Sequence, residues 1–161
     1  NDLEISLKTG DVSDMISYNQ QKKYLENMNN ETSYGFFIIR HIDDEVVGIA
    51  RLIKVDLINK KAMMGMFIGE KNNRNKGIGT EATRLLLDFG FNVLNLNNIL
   101  VVTYSFNDVA IRTLKKVGFK EIGRRRKSIV YGKNTYDEIF MDILSDEFKD
   151  SKIDNILNGI K

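Results

Sequence analysis

Two glycines, Gly77 and Gly79, mark the point where an apolar segment gives way to an amphipathic one. They lie in the run Ile68-Gly-Glu-Lys-Asn-Asn-Arg-Asn-Lys-Gly-Ile-Gly-Thr-Glu-Ala82. The segment before it, Ala62 to Ile68, reads as a strand. After Gly77, the residues Ile78, Ala82, Leu85, Leu86, Phe89 and Val93 fall at helical spacing on one face. A glycine-bearing loop that opens a helix gathers unbonded backbone N–H groups at the positive end of the helix dipole. Such a junction suits a diphosphate, and Arg74 and Lys76 beside it can screen phosphate charge.

The rest of the chain alternates strand and helix signals. Leu3, Ile5 and Leu7 alternate like a strand, although their neighbours also allow a helix. Ser17 to Met28 is rich in helix formers, with Tyr24 and Leu25 as inward candidates. Tyr34 to Arg40 and Val46 to Val55 read as strands joined by a polar turn at His41 to Glu45, and a further turn at Asn59 to Lys61 leads into Ala62. Asn98 to Tyr104 is a nearly unbroken apolar strand of the kind buried on both faces. Asn107 or Asp108 can cap a helix through Val117, which Gly118 ends as a left-handed C-terminal residue. Phe119 to Val130 and Thr135 to Leu144 form a final hairpin turning at Tyr131 to Asn134. From Asp146, Ile153, Ile156, Leu157 and Ile160 recur at helical spacing and predict a helical tail. The 161 residues contain no proline and no repeat, so one α/β unit over residues 1–161 is expected.

Charge and composition narrow the function classes. The 24 basic and 22 acidic residues leave a net charge of +2, without the concentrated excess of a nucleic-acid or membrane-surface binder. With no cysteine and a single histidine, His41, neither a thiolate nor a histidine metal site is expected. No apolar run reaches the roughly 18 residues of a membrane span, and a cytoplasmic location is the expectation.

The glycine pair admits several sites. Gly77-Ile-Gly-Thr-Glu-Ala82 fits the dinucleotide string G-x-G-x-x-G/A, but that fingerprint also needs an acidic residue about 20 positions later, and Ile99 to Tyr104 carries none. The phosphate-binding string G-x-x-x-x-G-K-[S/T] does not occur. Arg74-Asn75-Lys76-Gly77-Ile78-Gly79 resembles instead the R/Q-x-x-G-x-G/A signature of the GNAT superfamily of acetyl-CoA-dependent N-acetyltransferases. Gly79-Thr-Glu-Ala82, Leu85-Leu-Leu-Asp-Phe89, Phe91-Asn-Val-Leu-Asn-Leu96, Asn107 through Phe119, Glu121-Ile-Gly-Arg124 and Tyr136 through Leu144 are similar to its ribosomal-protein and polyamine acetyltransferase branch. The likeness runs from about Tyr34 to Phe148.

That resemblance implies an α/β (α+β) fold, a mixed twisted sheet with splayed central strands flanked by helices. It implies that Ala62–Ile68 and Asn98–Tyr104 are the parted parallel pair. The backbone of Arg74, Asn75, Lys76, Gly77, Ile78, Gly79 and Thr80 would bind the coenzyme A diphosphate. The strand edge at Met66, Phe67 and Ile68 would pair with the pantetheine amides, and Asn107 would hydrogen-bond the same arm. The implied partners are acetyl-CoA as co-substrate and a primary amine, with no metal, in a monomer or homodimer. The family's first strand is expected either to be these first residues or to precede them.

An amine that attacks the thioester directly needs an oxyanion donor, such as a backbone N–H near Ile68, and two proton transfers. Relatives often carry a thiolate acid where this chain has Leu114 and a base near Met63 or Met64. Tyr104, Ser105 and Tyr136 are the substitutes considered for catalysis, and each also reads as a packing or surface residue. Water-mediated deprotonation with catalysis by positioning is a further option, and a coenzyme-binding module without turnover is the rival reading. Arg124-Arg-Arg-Lys127 reads as a solvated strand edge. Asp43, Asp44 and Glu45 read as an ordinary polar turn.

Overall fold

Alternating burial makes the first strands. Tyr34–Arg40 (β1) and Glu45–Asp56 (β2) pair antiparallel across the turn at 41–44, where the Arg40 guanidinium bridges Asp43 and Glu45. The computed structural model describes residues 22–23, 26–27, 29–30, 32–69 and 77–159. The Leu3–Leu7 segment and the loop residues Arg74, Asn75 and Lys76 therefore lie outside the described residues. Of the helix expected over Ser17 to Met28, Lys22, Lys23 and Glu26 are helical, and Tyr24 and Leu25 are not among the described residues.

β2 turns at 57–60 into Lys61–Ile68 (β3), which runs antiparallel to it. Helix α1, Ile78–Asp88, follows, and Phe89–Val93 continues it as a π-helical turn. Asn98–Tyr104 (β4) returns parallel to β3. Helix α2 spans Asp108–Val117, with Asn107 as its N-cap and Gly118 as its left-handed C-cap at φ 118°. Lys120–Tyr131 (β5) and Asn134–Leu144 (β6) form the closing hairpin, and α3 covers Lys152–Gly159. The six strands form one sheet in the order β1-β2-β3-β4-β6-β5. No described helix is long and apolar enough to cross a membrane, and no described cluster of His, Asp and Glu could hold a metal ion.

The core lies between the sheet and the helices, where Leu52, Leu87, Leu96, Ile99, Ile139, Met141 and Ile143 are essentially inaccessible. Three expectations need correction here. Leu85 and Val93 are 50% and 55% exposed, whereas Thr83, Leu86, Leu87 and Asp88 are buried. Leu85 stands on the regular helix roughly opposite the buried Thr83 and Leu87, and beyond Asp88 the π turn changes the angular step, so Val93 also leaves the extrapolated stripe. Gly90 permits the turn, because a Cβ there would stand 2.6 Å from Ile99 Cδ1. In the tail, Ile156 is 64% exposed, and polar groups help to fasten α3. The buried Asp88 carboxylate accepts from Ser151 Oγ at 2.7 Å, Asn92 Nδ2 at 2.7 Å, and the amides of Lys152 and Ile153 at 2.8 and 3.1 Å. In β4, Ile99, Val101 and Thr103 are buried, and the opposite face is half-buried rather than sealed.

Candidate active site

The parallel pair comes apart. β3 and β4 are paired at Lys61–Asn98, Ala62–Ile99, Met63–Leu100 and Met64–Val101, and there the register stops. Both strands continue, β3 through Gly65–Ile68 and β4 through Val102–Tyr104, held by their outer neighbours β2 and β6. The result is a wedge open at the C-terminal ends of both strands.

Strand geometry says which backbone groups face the wedge. The Gly69 N–H donates to the Val47 carbonyl at 2.8 Å, and the polar groups of successive residues point to opposite edges of a strand. Gly65 and Phe67 therefore turn theirs toward β2. Met66 and Ile68 turn theirs toward β4, beyond the last β3–β4 pair. An extended chain bearing amides could bond to that edge as a further strand would.

The start of α1 closes the same end. Gly77 is its N-cap at φ 81°, a conformation open to glycine, and no side-chain hydrogen bond caps the helix among the described residues. The first helical bond is Glu81 N–H to the Gly77 carbonyl, at 3.0 Å, so the amides of Ile78, Gly79 and Thr80 have no carbonyl of the helix to bond. Gly79 serves close approach: a Cβ on it would stand 3.3 Å from Ile68 Cδ1. Helix start and strand end thus touch, and a ligand on the amides is within reach of the open edge. Thr83 locks this contact. Its buried hydroxyl lies 2.7 Å from the Gly79 carbonyl and 3.7 Å from Met66 Sδ. Along the outer flank of α1 a groove of about 510 Å³ runs from Gly77 and Thr80 past Arg84, Lys116, Lys149 and Lys152. Asp150 and Glu81 pair with Arg84 and Lys152 at 2.7 and 3.2 Å.

Asn107 stands where β4 meets α2. Its Oδ1 accepts from the Ala110 amide at 3.3 Å, which leaves its Nδ2 without a partner among the described residues. Ser105 stitches the mouth: its N–H donates to the Asp137 carbonyl at 2.9 Å, and its Oγ accepts from the Asp137 N–H at 3.0 Å. Tyr104 and Tyr136 join an aromatic cluster. Phe106 stacks on Tyr104 with centroids 5.6 Å apart and meets Tyr131 and Tyr136 edge-on at 5.3 and 4.9 Å. Met64 and Leu114 belong to the buried core, and Met63 is half-buried. Arg124 to Lys127 are exposed on the outermost strand, and Arg124 holds the Glu121 carboxyl below its usual value by a charge-assisted hydrogen bond.

Sequence reasoning missed Thr83, Phe106, Tyr131 and Glu138. Thr83 was legible as a hydroxyl one helical turn after Gly79. Phe106 was legible as the neighbour of Ser105 and Asn107, and the other two are brought to the mouth by strand pairing, which sets Glu138 opposite Tyr104 and Tyr131 opposite Asn134.

A family model described as an acetyltransferase (GNAT) domain matches residues 8–120. The chain belongs to the GNAT acetyltransferase family. It is 34% identical over 110 residues to a probable N-acetyltransferase, YjcK, of Bacillus subtilis, a match covering 66% of this chain and 59% of that protein. To the spermidine N(1)-acetyltransferase of Escherichia coli K12 it is 27% identical over 100 residues, covering 62% of this chain and 52% of that one. The chain thus spans somewhat over half the length of these GNAT relatives. Its fold matches the spermidine N-acetyltransferase of Vibrio cholerae, solved with CoA and spermine, at a TM-score of 0.81 and 20% identity, over 91% of this chain and 86% of that one. The mixed sheet with helices on it is therefore the GNAT fold.

Proposed function

We propose that this chain transfers an acetyl group from acetyl-CoA to a primary amine, by direct attack within a ternary complex and without a covalent enzyme intermediate. One observation carries the reading: the β3–β4 register ends at Met64 and Val101 beside a helix start with no side-chain cap among the described residues. The donors fit the co-substrate's chemistry. Amides of Gly77, Ile78, Gly79 and Thr80 at a helix N-terminus suit a diphosphate, with Arg74, Asn75 and Lys76 as the proposed remainder of the loop. The edge of Met66 and Ile68 suits the pantetheine amides. Asn107 Nδ2 is proposed to donate to the same arm while its Oδ1 caps α2.

Acetyl-CoA supplies the activated acyl carbon: the N–C bond forms as the C–S bond breaks, and the ammonium nitrogen gives up two protons, one released to solvent before attack and one delivered to the departing thiolate. The Ile68 amide, aimed into the wedge, is the proposed oxyanion donor. Tyr104, Ser105 and Tyr136 are the proposed proton carriers at the mouth, the Ser105 hydroxyl keeping its O–H while its oxygen accepts from Asp137. Positioning in the wedge supplies the rest of the rate. We infer a monomer or a homodimer, which light scattering tests.

Calorimetry with coenzyme A, followed by thiol release from acetyl-CoA over a panel of amines, tests the function. Uptake of coenzyme A with turnover of at least one amine is expected. A folded chain that takes up no coenzyme A refutes the proposal, and uptake without turnover of any amine reduces the chain to a binding module.

A further inference from the structure

The mouth of the wedge is chemically two-sided. Its inner part is aromatic, with Phe106 in ring contact with Tyr104, Tyr131 and Tyr136. Its outer part is the hairpin that overhangs the end of β4, because the last β4–β6 pair is Tyr104–Glu138 and the strands run on to the turn. Between residues 124 and 138 this hairpin carries five exposed cations, Arg124, Arg125, Arg126, Lys127 and Lys133, against two carboxylates, Asp137 and Glu138. Asp137 lies 3.7 Å from Arg124, and Glu138 lies 3.7 Å from Arg125. The side chains of Arg126, Lys127 and Lys133 have no ion-pair partner among the described residues. Among the described residues the rim therefore holds three positive charges without a counter-charge, on the same hairpin that contributes Tyr131 and Tyr136 to the rings.

That combination discriminates between acceptors. A polyamine, cationic along its length, would meet like charge within a Debye length of about 8 Å. A polypeptide N-terminus presents one cationic nitrogen to the rings, which attract it through their faces, and can lay acidic residues on the rim. Its nitrogen is also easier to use. With a pKa of about 7.7–8.0, roughly a tenth or more of an α-amine is neutral at pH 7, against less than about a thousandth of an alkylamine near 10.4. Such an acceptor asks little of a general base.

Resting on the function above, we propose that the acceptor is the α-amine of a polypeptide whose next few residues are acidic. The first residue lies against Tyr104, Phe106, Tyr131 and Tyr136, and the carboxylates lie on Arg126, Lys127 and Lys133. The test compares the full chain on an octapeptide with Asp or Glu at positions two to four, the same peptide with Lys there, and spermidine. The acidic peptide is expected to exceed both others in kcat/KM by about tenfold or more, as three exposed charge pairs allow, and the margin shrinks in 0.5 M salt. The triple variant Arg126→Glu, Lys127→Glu, Lys133→Glu is expected to erase or invert the ratio of acidic to basic peptide, and Lys133→Glu alone to narrow it. Higher kcat/KM on spermidine, or an unchanged ratio in the triple variant, overturns the proposal. Calorimetry on the same material separates the two failures: coenzyme A uptake with the wrong preference overturns the acceptor class alone, and no uptake overturns the function beneath it.

Discussion

The helix starts of α1 and α3 pose the same physical problem and solve it in opposite ways. At α3, the Asp88 carboxylate accepts from the Lys152 and Ile153 amides and from two side chains. At α1, Gly77 contributes no side chain, and the first amides meet no cap among the described residues. One terminus is closed from within and the other, among the described residues, is left uncapped. The difference teaches where this chain spends its polar groups: on holding the tail in one case, and in the proposed function on receiving an anion in the other.

The comparison breaks most visibly at the closed end. Asp88→Ala strips four donors of their acceptor and is expected to cost about 3 kcal/mol in urea unfolding, with coenzyme A affinity changed less than twofold. Acid sharpens the same point. Burial pushes the Asp88 carboxyl up, but the hydrogen bonds from Ser151, Asn92, Ile153 and Lys152 outweigh it and hold the group below its ordinary 3.8. A carboxylate lowered by folding stabilises fully above the unfolded value, and that contribution disappears as pH falls through the folded one. The stability gap between the natural chain and Asp88→Asn should therefore be constant from pH 7 to about pH 5 and narrow below about pH 4.

At the open end the signs reverse. Gly79→Val pushes against Ile68 and shifts the helix start off the strand, and should weaken coenzyme A binding by about tenfold or more while costing only about 1 kcal/mol of stability. Calorimetry and thermal melts on one preparation check both halves. If affinity holds while stability falls by several kcal/mol, the two ends do not divide the work as described. Asn107→Ala stands between the extremes, with a cap loss of about 1 kcal/mol and a few-fold weaker coenzyme A uptake. Asn107→Asp keeps the cap and loses only the donor, so it should retain stability and still lose affinity. The smallest effect is expected for Ser105→Ala, about 0.5–1 kcal/mol of stability from the lost bond to the Asp137 amide. Its rate tells whether the hydroxyl also carries a proton.

Much of the open end was legible in the chain. Gly77 and Gly79 announced themselves because each solves a separate backbone problem, one of conformation and one of contact. Asn107 and Gly118 were legible as caps because capping is local. Strand boundaries came within a residue or two, since alternation and turn chemistry act at short range. The closed end was not legible. Asp88 sits on a helix face that 3.6-residue spacing assigns to solvent, and its partners at 151–153 lie more than 60 positions away. The π turn was hidden too, because the residue that permits it, Gly90, matters for a clash with Ile99 across the core. The mouth was half legible: Tyr104 and Tyr136 could be named singly, but it takes the β4–β6 and β5–β6 registers together to carry Tyr131 and Tyr136 to Tyr104 and its near neighbour Phe106.

The outermost strand, β5, carries a last consequence. Its ladder to β6 slips twice, between Glu121 and Gly123 and between Arg125 and Ile129, and Lys127 takes a φ of 50°. A stray chain seeking to lengthen the sheet there finds no uninterrupted row of hydrogen-bonding groups, and a fence of cations besides. The hairpin can keep its cations in water without offering a flat edge on which copies of itself would stack into fibres.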